Sequence, residues 1–286
     1  MTRRLGACAF VSAAAFAAAL GGLAAASPPA FGENHVPPVR SVDAVAPERA
    51  DPPAPVTVPL CIAPMPQLGL RHPLPRVAQR LTEGEPLRIV AIGSSSTAGA
   101  GATSPARNYP NRLAEELRRR LPDQPIDVLN RGVNGEEVAD MLRRFDRDVL
   151  AARPDLVIWQ VGTNALLRSA DPDRFAASVQ HGLDKLRSQG IDVVLMDLQY
   201  APAVLAAAGH REMLARLETI GERNRVPVFR RFAAMKAWTE SAGAAAGAMI
   251  CDDGLHLTDL GYGCLAYQLA SAILPAAGSA AAVAAR

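Results

Sequence analysis

From residue 87 onward the chain alternates short apolar runs with longer amphipathic stretches, and few architectures satisfy such a pattern. The run Leu87-Arg88-Ile89-Val90-Ala91-Ile92 is almost continuously apolar and stops at Gly93, as a strand buried on both faces of a parallel sheet does. Residues 108–121 follow with helical spacing. There Glu115 and Glu116 precede Arg119 and Arg120 by four positions, so the arginine triplet 118–120 reads as a paired, solvated face and not as a binding patch. Strands are then expected at 126–129, 155–161, 191–198 and 226–229, and helices over 136–150, 172–189, 210–224, 231–241 and 257–274. Right-handed crossovers between parallel strands put helices on both faces of a sheet. The expected fold class is therefore α/β: one domain with five parallel strands between two helical layers.

The ends of the chain have a different texture. Arg3 and Arg4 begin an Ala-rich apolar stretch that leads to Leu23-Ala24-Ala25-Ala26-Ser27. A basic start, an apolar middle and small residues at the cleavage position predict a signal peptide over 1–26, with an uncleaved anchor as the alternative. Residues 27–59 are rich in Pro and Ala without apolar periodicity and are expected to be a linker. The domain is expected over 60–274, followed by an Ala-rich, frayed tail at 275–286. Leader removal takes away two arginines and no acid and leaves a formally neutral chain. Such a charge gives no electrostatic case for nucleic acid or anionic membranes. Three cysteines would remain in an oxidising compartment. The expected bridge is Cys61–Cys264, tying the two ends of the domain, with Cys251 reduced.

In an open α/β sheet, ligands bind beyond the carboxyl ends of the strands. Four polar blocks fall there or just before the last helix: Gly93-Ser94-Ser95-Ser96-Thr97-Ala98-Gly99, Asn130-Arg131-Gly132-Val133-Asn134-Gly135, Gly162-Thr163-Asn164 and Asp253-Gly254-Leu255-His256. Together they suit acyl transfer. A serine hydroxyl needs an imidazole to take its proton, and the imidazole needs a carboxylate to fix its tautomer. The tetrahedral intermediate needs donors already aimed at its oxyanion.

In order and spacing the four blocks resemble those of the SGNH/GDSL hydrolase superfamily, across residues 87–274. The resemblance implies a flavodoxin-like three-layer α/β/α fold with Ser95 as nucleophile and Asp253 and His256 completing a triad. It also implies an oxyanion hole made from the backbone N–H groups of Ser95 and Gly135 and the side-chain amide of Asn164. Ser94 stands where the family's first block has Asp, and Ala165 where an Asp often follows the third block; neither position belongs to the triad. Ser94 and Ser96 are rival nucleophiles, and the family register favours Ser95.

The implied function is an exported esterase, periplasmic or secreted and expected as a monomer. It would cleave short-chain or O-acetyl esters of a small molecule or glycan through an acyl-enzyme. The alternatives are an O-acyltransferase using the same triad and, least favoured, an idle envelope binding protein. No metal or organic cofactor is expected, no nucleic-acid partner, and no integral membrane segment after cleavage. Cys and His spacing offers no zinc site, and no phosphate or dinucleotide loop is complete. His35, His72, His181 and His210 are expected in surface or packing roles, and Trp159 in the core. Segments 101–107, 166–171 and 200–209 are expected to line the cleft.

Overall fold

The computed structural model describes Cys61, residues 69–242 and residues 247–284. The expected signal peptide and linker lie outside the described residues. A first helix, α1 (Pro75–Glu83), leads into β1 (Leu87–Gly93), whose residues are all buried except Arg88. One helical turn, α2 (Ser95–Ala98), follows, then α3 (Tyr109–Arg120), β2 (Ile126–Gly132), α4 (Val138–Arg143) and α5 (Phe145–Asp148). The chain continues through β3 (Leu156–Gln160), α6 (Thr163–Leu167), α7 (Pro172–Arg187) and β4 (Asp192–Met196). It closes with α8 (Pro202–Ala206), α9 (His210–Asn224), β5 (Val228–Phe229), α10 (Arg231–Ala242) and α11 (Asp259–Ala284).

All five strands are parallel, in the order β2-β1-β3-β4-β5. This is the flavodoxin-like order, in which chain direction reverses between β1 and β3 and opens a crevice at their carboxyl ends. Alternation along the strands divides the core. Ile89, Ala91, Ile158, Val194 and Met196 pack with Leu113, Trp238 and Leu269 on one face. Val90, Ile92, Val157, Trp159, Val193 and Leu195 pack with Phe145, Val179 and Leu217 on the other. Trp159 is fully buried, meets Phe145 edge-on at 5.0 Å and donates to Sδ of Met141 at 3.2 Å.

Asp155 fastens the amino ends of the strands to α1. Its nearly buried carboxylate accepts from Nε of Arg76 at 3.0 Å, Nε of Arg80 at 2.7 Å and the Arg88 backbone N–H at 3.0 Å. On α3, Asn108 caps the helix by accepting the Asn111 N–H at 3.0 Å. Glu116 there pairs with both Arg119 and Arg120, whereas Arg118 turns to the Ile126 carbonyl.

The structure corrects three expectations. The helix expected over 136–150 is broken into α4, α5 and a 3₁₀ turn at Leu150–Ala152. The cause is Arg144, which leaves helical geometry and turns inward, donating to Glu136 and, at 2.8 Å, to the Arg131 carbonyl. The tail expected after residue 274 is instead helix: α11 runs through Pro275, and Ala276 and Ala277 are buried. Proline forfeits one helical hydrogen bond, but alanine is the best helix former and this segment also buries a face. The Ala276 carbonyl accepts the Leu74 N–H at 3.4 Å. Among the described residues α11 alone is long and apolar enough to cross a membrane, yet 72% of that stretch is buried within the protein.

The third correction concerns cysteine. Cys61 and Cys264 form a disulfide with a Cα separation of 4.8 Å across 203 positions, well inside the range a bridge allows. Cys251 is not the expected thiol, because no described cysteine is free and Cys251 is itself disulfide-bonded.

Candidate active site

β1 delivers Gly93 into a turn with no room for a side chain. A Cβ at Gly93 would lie 2.2 Å from Oγ1 of Thr97 and 2.7 Å from Oε1 of Gln160. Gln160 ends β3 and organises this turn: its Oε1 accepts the Ser94 N–H at 2.8 Å, the Ser94 hydroxyl at 3.0 Å and the Thr97 hydroxyl at 3.4 Å. Ser94 is therefore occupied and buried, and Ser96 is buried as well. Ser95 is the serine of the three that reaches a base.

The Ser95 Oγ lies 2.9 Å from Nε2 of His256, and Nδ1 of His256 lies 2.6 Å from Oδ2 of Asp253. The other oxygen of Asp253 accepts the backbone N–H groups of Leu255 at 2.9 Å and His256 at 3.0 Å. Burial opposes the Asp253 charge, but the bonds from the His256 ring and these two backbone groups outweigh it and hold the pKa below its ordinary value. An ionised carboxylate only accepts, so Nδ1 must carry the proton. Nε2 is left as an acceptor facing the Ser95 hydroxyl. The loop is closed by the Cys251 N–H donating to the His256 carbonyl at 2.8 Å and by an antiparallel bridge between Ile250 and Leu257. Both side chains remain about one-fifth exposed, which leaves the hydroxyl–imidazole–carboxylate chain open to a substrate.

The end of β2 packs directly on the Ser95 turn. A Cβ at Gly132 would fall 2.1 Å from the Ala98 nitrogen, so glycine alone permits the approach. Asn130 Nδ2 donates to the Thr97 carbonyl and its Oδ1 accepts the Gly132 N–H, both at 2.8 Å. The Val133 N–H donates to the Gly93 carbonyl at 3.0 Å. Gly135 then adopts a left-handed conformation. On the far side of the crevice, Asn164 lies in α6 just beyond β3. Its Nδ2 donates to the Glu136 carbonyl at 2.8 Å, which orients the amide and leaves one N–H uncommitted. Arg168 pairs with Glu137 at 2.8 Å and ties the same two segments from outside. The 101–107 and 200–209 segments also reach this rim. Gly101 abuts His256, and the Ala203 N–H donates to the Gly254 carbonyl at 3.0 Å.

The remaining described histidines do not join the Ser95–His256 pair. His72 contacts Glu222 at 3.2 Å, and His210 contacts the Ala207 carbonyl and stacks on Phe232; His35 lies outside the described residues. No group of three His, Cys, Asp or Glu side chains among the described residues is placed to hold a metal ion. Sequence reasoning missed Gln160 and Gln199. Gln160 had an available signal, a polar residue closing the apolar run Leu156-Val157-Ile158-Trp159; Gln199 follows Asp197-Leu198 and carried no such mark.

Known proteins share this architecture. The chain is 28% identical over 105 residues to an acetylxylan esterase of Geobacillus stearothermophilus, covering 37% of this chain and 45% of that protein. It is 24% identical over 115 residues to an arylesterase of Vibrio mimicus, covering 40% of this chain and 56% of that one. The chain thus spans about half the length of the curated relatives it matches. The crystal structure of the acetyl xylan esterase AlAXEase superposes with a TM-score of 0.58 at 22% identity, covering 66% of this chain and 100% of that one. A family model matches residues 60–279. With an SGNH/GDSL-type fold and Ser94 in place of the first block's aspartate, the chain belongs to the non-GDSL lipase-like family.

Proposed function

We propose that this chain is an exported serine ester hydrolase that cleaves short-chain or O-acetyl esters through an acyl-enzyme on Ser95. The observation that carries the reading is the continuous hydrogen-bond chain from Ser95 through His256 to Asp253. In the first step the Ser95 oxygen bonds to the ester carbonyl carbon while its proton passes to Nε2 of His256. Asp253 stabilises the imidazolium. The carbonyl oxygen becomes an oxyanion, received by the backbone N–H groups of Ser95 and Gly135 and by the Asn164 amide. Collapse expels the alcohol, protonated by His256. Water then repeats the sequence on the acyl-enzyme and releases the acid and free Ser95.

Relatives described as acetylxylan esterase and arylesterase support the reaction class. Export is supported by the leader-like sequence of residues 1–26 and by a domain-closing disulfide, which suits an oxidising compartment. The test is hydrolysis of p-nitrophenyl acetate by the purified chain, with a fluorophosphonate probe and mass mapping of the labelled residue. Expected are Ser95-linked label and turnover lost in Ser95→Ala with the melting temperature retained. Label on Ser94 or Ser96, or full turnover in Ser95→Ala, overturns the assignment. Adding a glycan acceptor with free hydroxyls separates hydrolysis from acyl transfer in the same assay.

A further inference from the structure

Beneath the Ser95–His256 pair lies a guanidinium that the acyl-transfer steps do not use. Arg231 opens α10 and is fully buried. Its Nε and Nη2 donate to the Asp197 backbone carbonyl at 3.0 and 2.6 Å, and Nη2 also donates to Oε1 of Gln199 at 2.8 Å. Its Nη1 has no hydrogen-bond partner in the protein. Burial pushes the Arg231 pKa down to about 10, against the pull of Asp197, and the group stays cationic near neutral pH. Removing a cation from water is costly, so its neighbours should reveal what it holds in place.

Gln199 is that neighbour. It is buried, and its Oε1 also accepts the Thr163 hydroxyl at 3.0 Å, one residue before Asn164. Its Nε2 donates to the Leu255 carbonyl at 3.4 Å, between Asp253 and His256. One amide therefore bridges the turn that carries Asn164 and the loop that carries the imidazole. A glutamine amide can ordinarily flip. Here a guanidinium offers donors only, and so does the amide nitrogen. With Arg231 on one side, the Gln199 oxygen must face Arg231 and Thr163, and its nitrogen must face Leu255.

We propose that Arg231 and Gln199 are positioning residues: Gln199 holds the Asp253–His256 loop and the Asn164 turn in register, and Arg231 fixes the direction of its amide. The inference rests on the ester-hydrolase reading for its kinetic consequences, but the geometry of His256 can be tested without any substrate.

The discriminating variant is Gln199→Glu in the full chain. It keeps an oxygen toward Arg231 and Thr163, in a stronger ion pair, and sets the second oxygen against the Leu255 carbonyl in place of a donor. The expected result with p-nitrophenyl acetate is kcat lowered about tenfold or more, because small misplacements of reacting groups are expensive. KM should stay within about twofold and the melting temperature should not fall. The downfield proton resonance of Nδ1 in His256 should shift or broaden. Gln199→Met, which loses both roles without adding charge, should reproduce the kinetic and spectral changes. Wild-type kcat with an unmoved resonance in both variants overturns the proposal, as does activity that falls only in step with lost folding. If the wild-type chain shows no Ser95-dependent hydrolysis, the ester-hydrolase reading fails, and the His256 resonance alone decides the positioning role.

Discussion

Replacing Asp253 by Asn separates the two contributions of that carboxylate. The Asn Oδ1 can still accept the Leu255 and His256 backbone N–H groups now held at 2.9 and 3.0 Å, so the loop should keep its shape. The atom facing Nδ1 across 2.6 Å becomes a donor. It can bond only to an unprotonated Nδ1, which moves the ring proton to Nε2 and aims it at Ser95. The base is then lost although every side chain stays in place. If only one charge-assisted hydrogen bond mattered, the loss would be about 1.5–3 kcal/mol, roughly ten- to a hundredfold. Inverting the tautomer should instead cost about four decades in kcat, or about 5 kcal/mol. The assay is steady-state p-nitrophenyl acetate hydrolysis beside thermal melts across pH. A fall in kcat of less than about a hundredfold, with folding intact, refutes the tautomer argument. The melts carry a second sign. Because the folded Asp253 pKa is depressed, its stabilisation is fully present above the unfolded value of about 3.9 and is lost as pH falls through the folded value. The carboxylate's own share of the stability gap between wild type and Asp253→Asn should therefore shrink as pH falls below about 4.

Asn164→Ala should lower kcat by about a hundredfold or more with little change in KM, since an oxyanion donor acts mainly in the transition state; a change confined to KM would assign Asn164 to ground-state binding. Cys61→Ser should lower unfolding stability by at most about 5 kcal/mol, the chain-entropy value for a loop spanning 203 positions, and an unchanged denaturant midpoint would remove the bridge from the stability account. Val133, Leu167 and Leu205, the exposed large apolar side chains among the described residues at 44%, 36% and 39% exposure, all follow the carboxyl ends of strands. Esters that reach them should gain about fourfold in kcat/KM per added methylene from acetate to butyrate, and the triple Ser variant should flatten that trend; a flat wild-type profile would place the acyl group elsewhere.

The strands were legible because each is a near-continuous apolar run, and a parallel sheet buried on both faces leaves few other readings for such runs. Helices with a regular amphipathic period, such as α3 and α9, were legible from that period. Errors arose where a single residue acts at a distance. Arg144 breaks a regular periodic stretch by turning toward Glu136 and the Arg131 carbonyl, and nothing in the local pattern marks it. Pro275 read as a stop, yet burial of Ala276 and Ala277 carries the helix past it. α1 carries few apolar residues and is held by Asp155, 75–79 positions away. In the candidate site, Ser95, Asp253 and His256 were readable because they fall in short linear blocks. Gln160 and Gln199 belong to no block.

Those two glutamines bear on how a site of this kind tolerates variation. A carboxylate at position 94 would face the oxygen of Gln160 and gain only if that amide flipped, which would turn the amide nitrogen toward the Ser94 and Thr97 groups that now donate to it. The serine at 94 and the glutamine at 160 therefore form one choice, not two independent ones. Gln199 is constrained in the same way by Arg231. Each amide lies at or just beyond the carboxyl end of a strand, and each has its oxygen held by neighbours that only donate to it. Gln160 braces the nucleophile turn, whereas Gln199 braces the imidazole loop against the Asn164 turn. Ser95 and the His256 loop are thus each tied to an amide whose direction its neighbours fix, Gln160 for the first and Gln199 for the second.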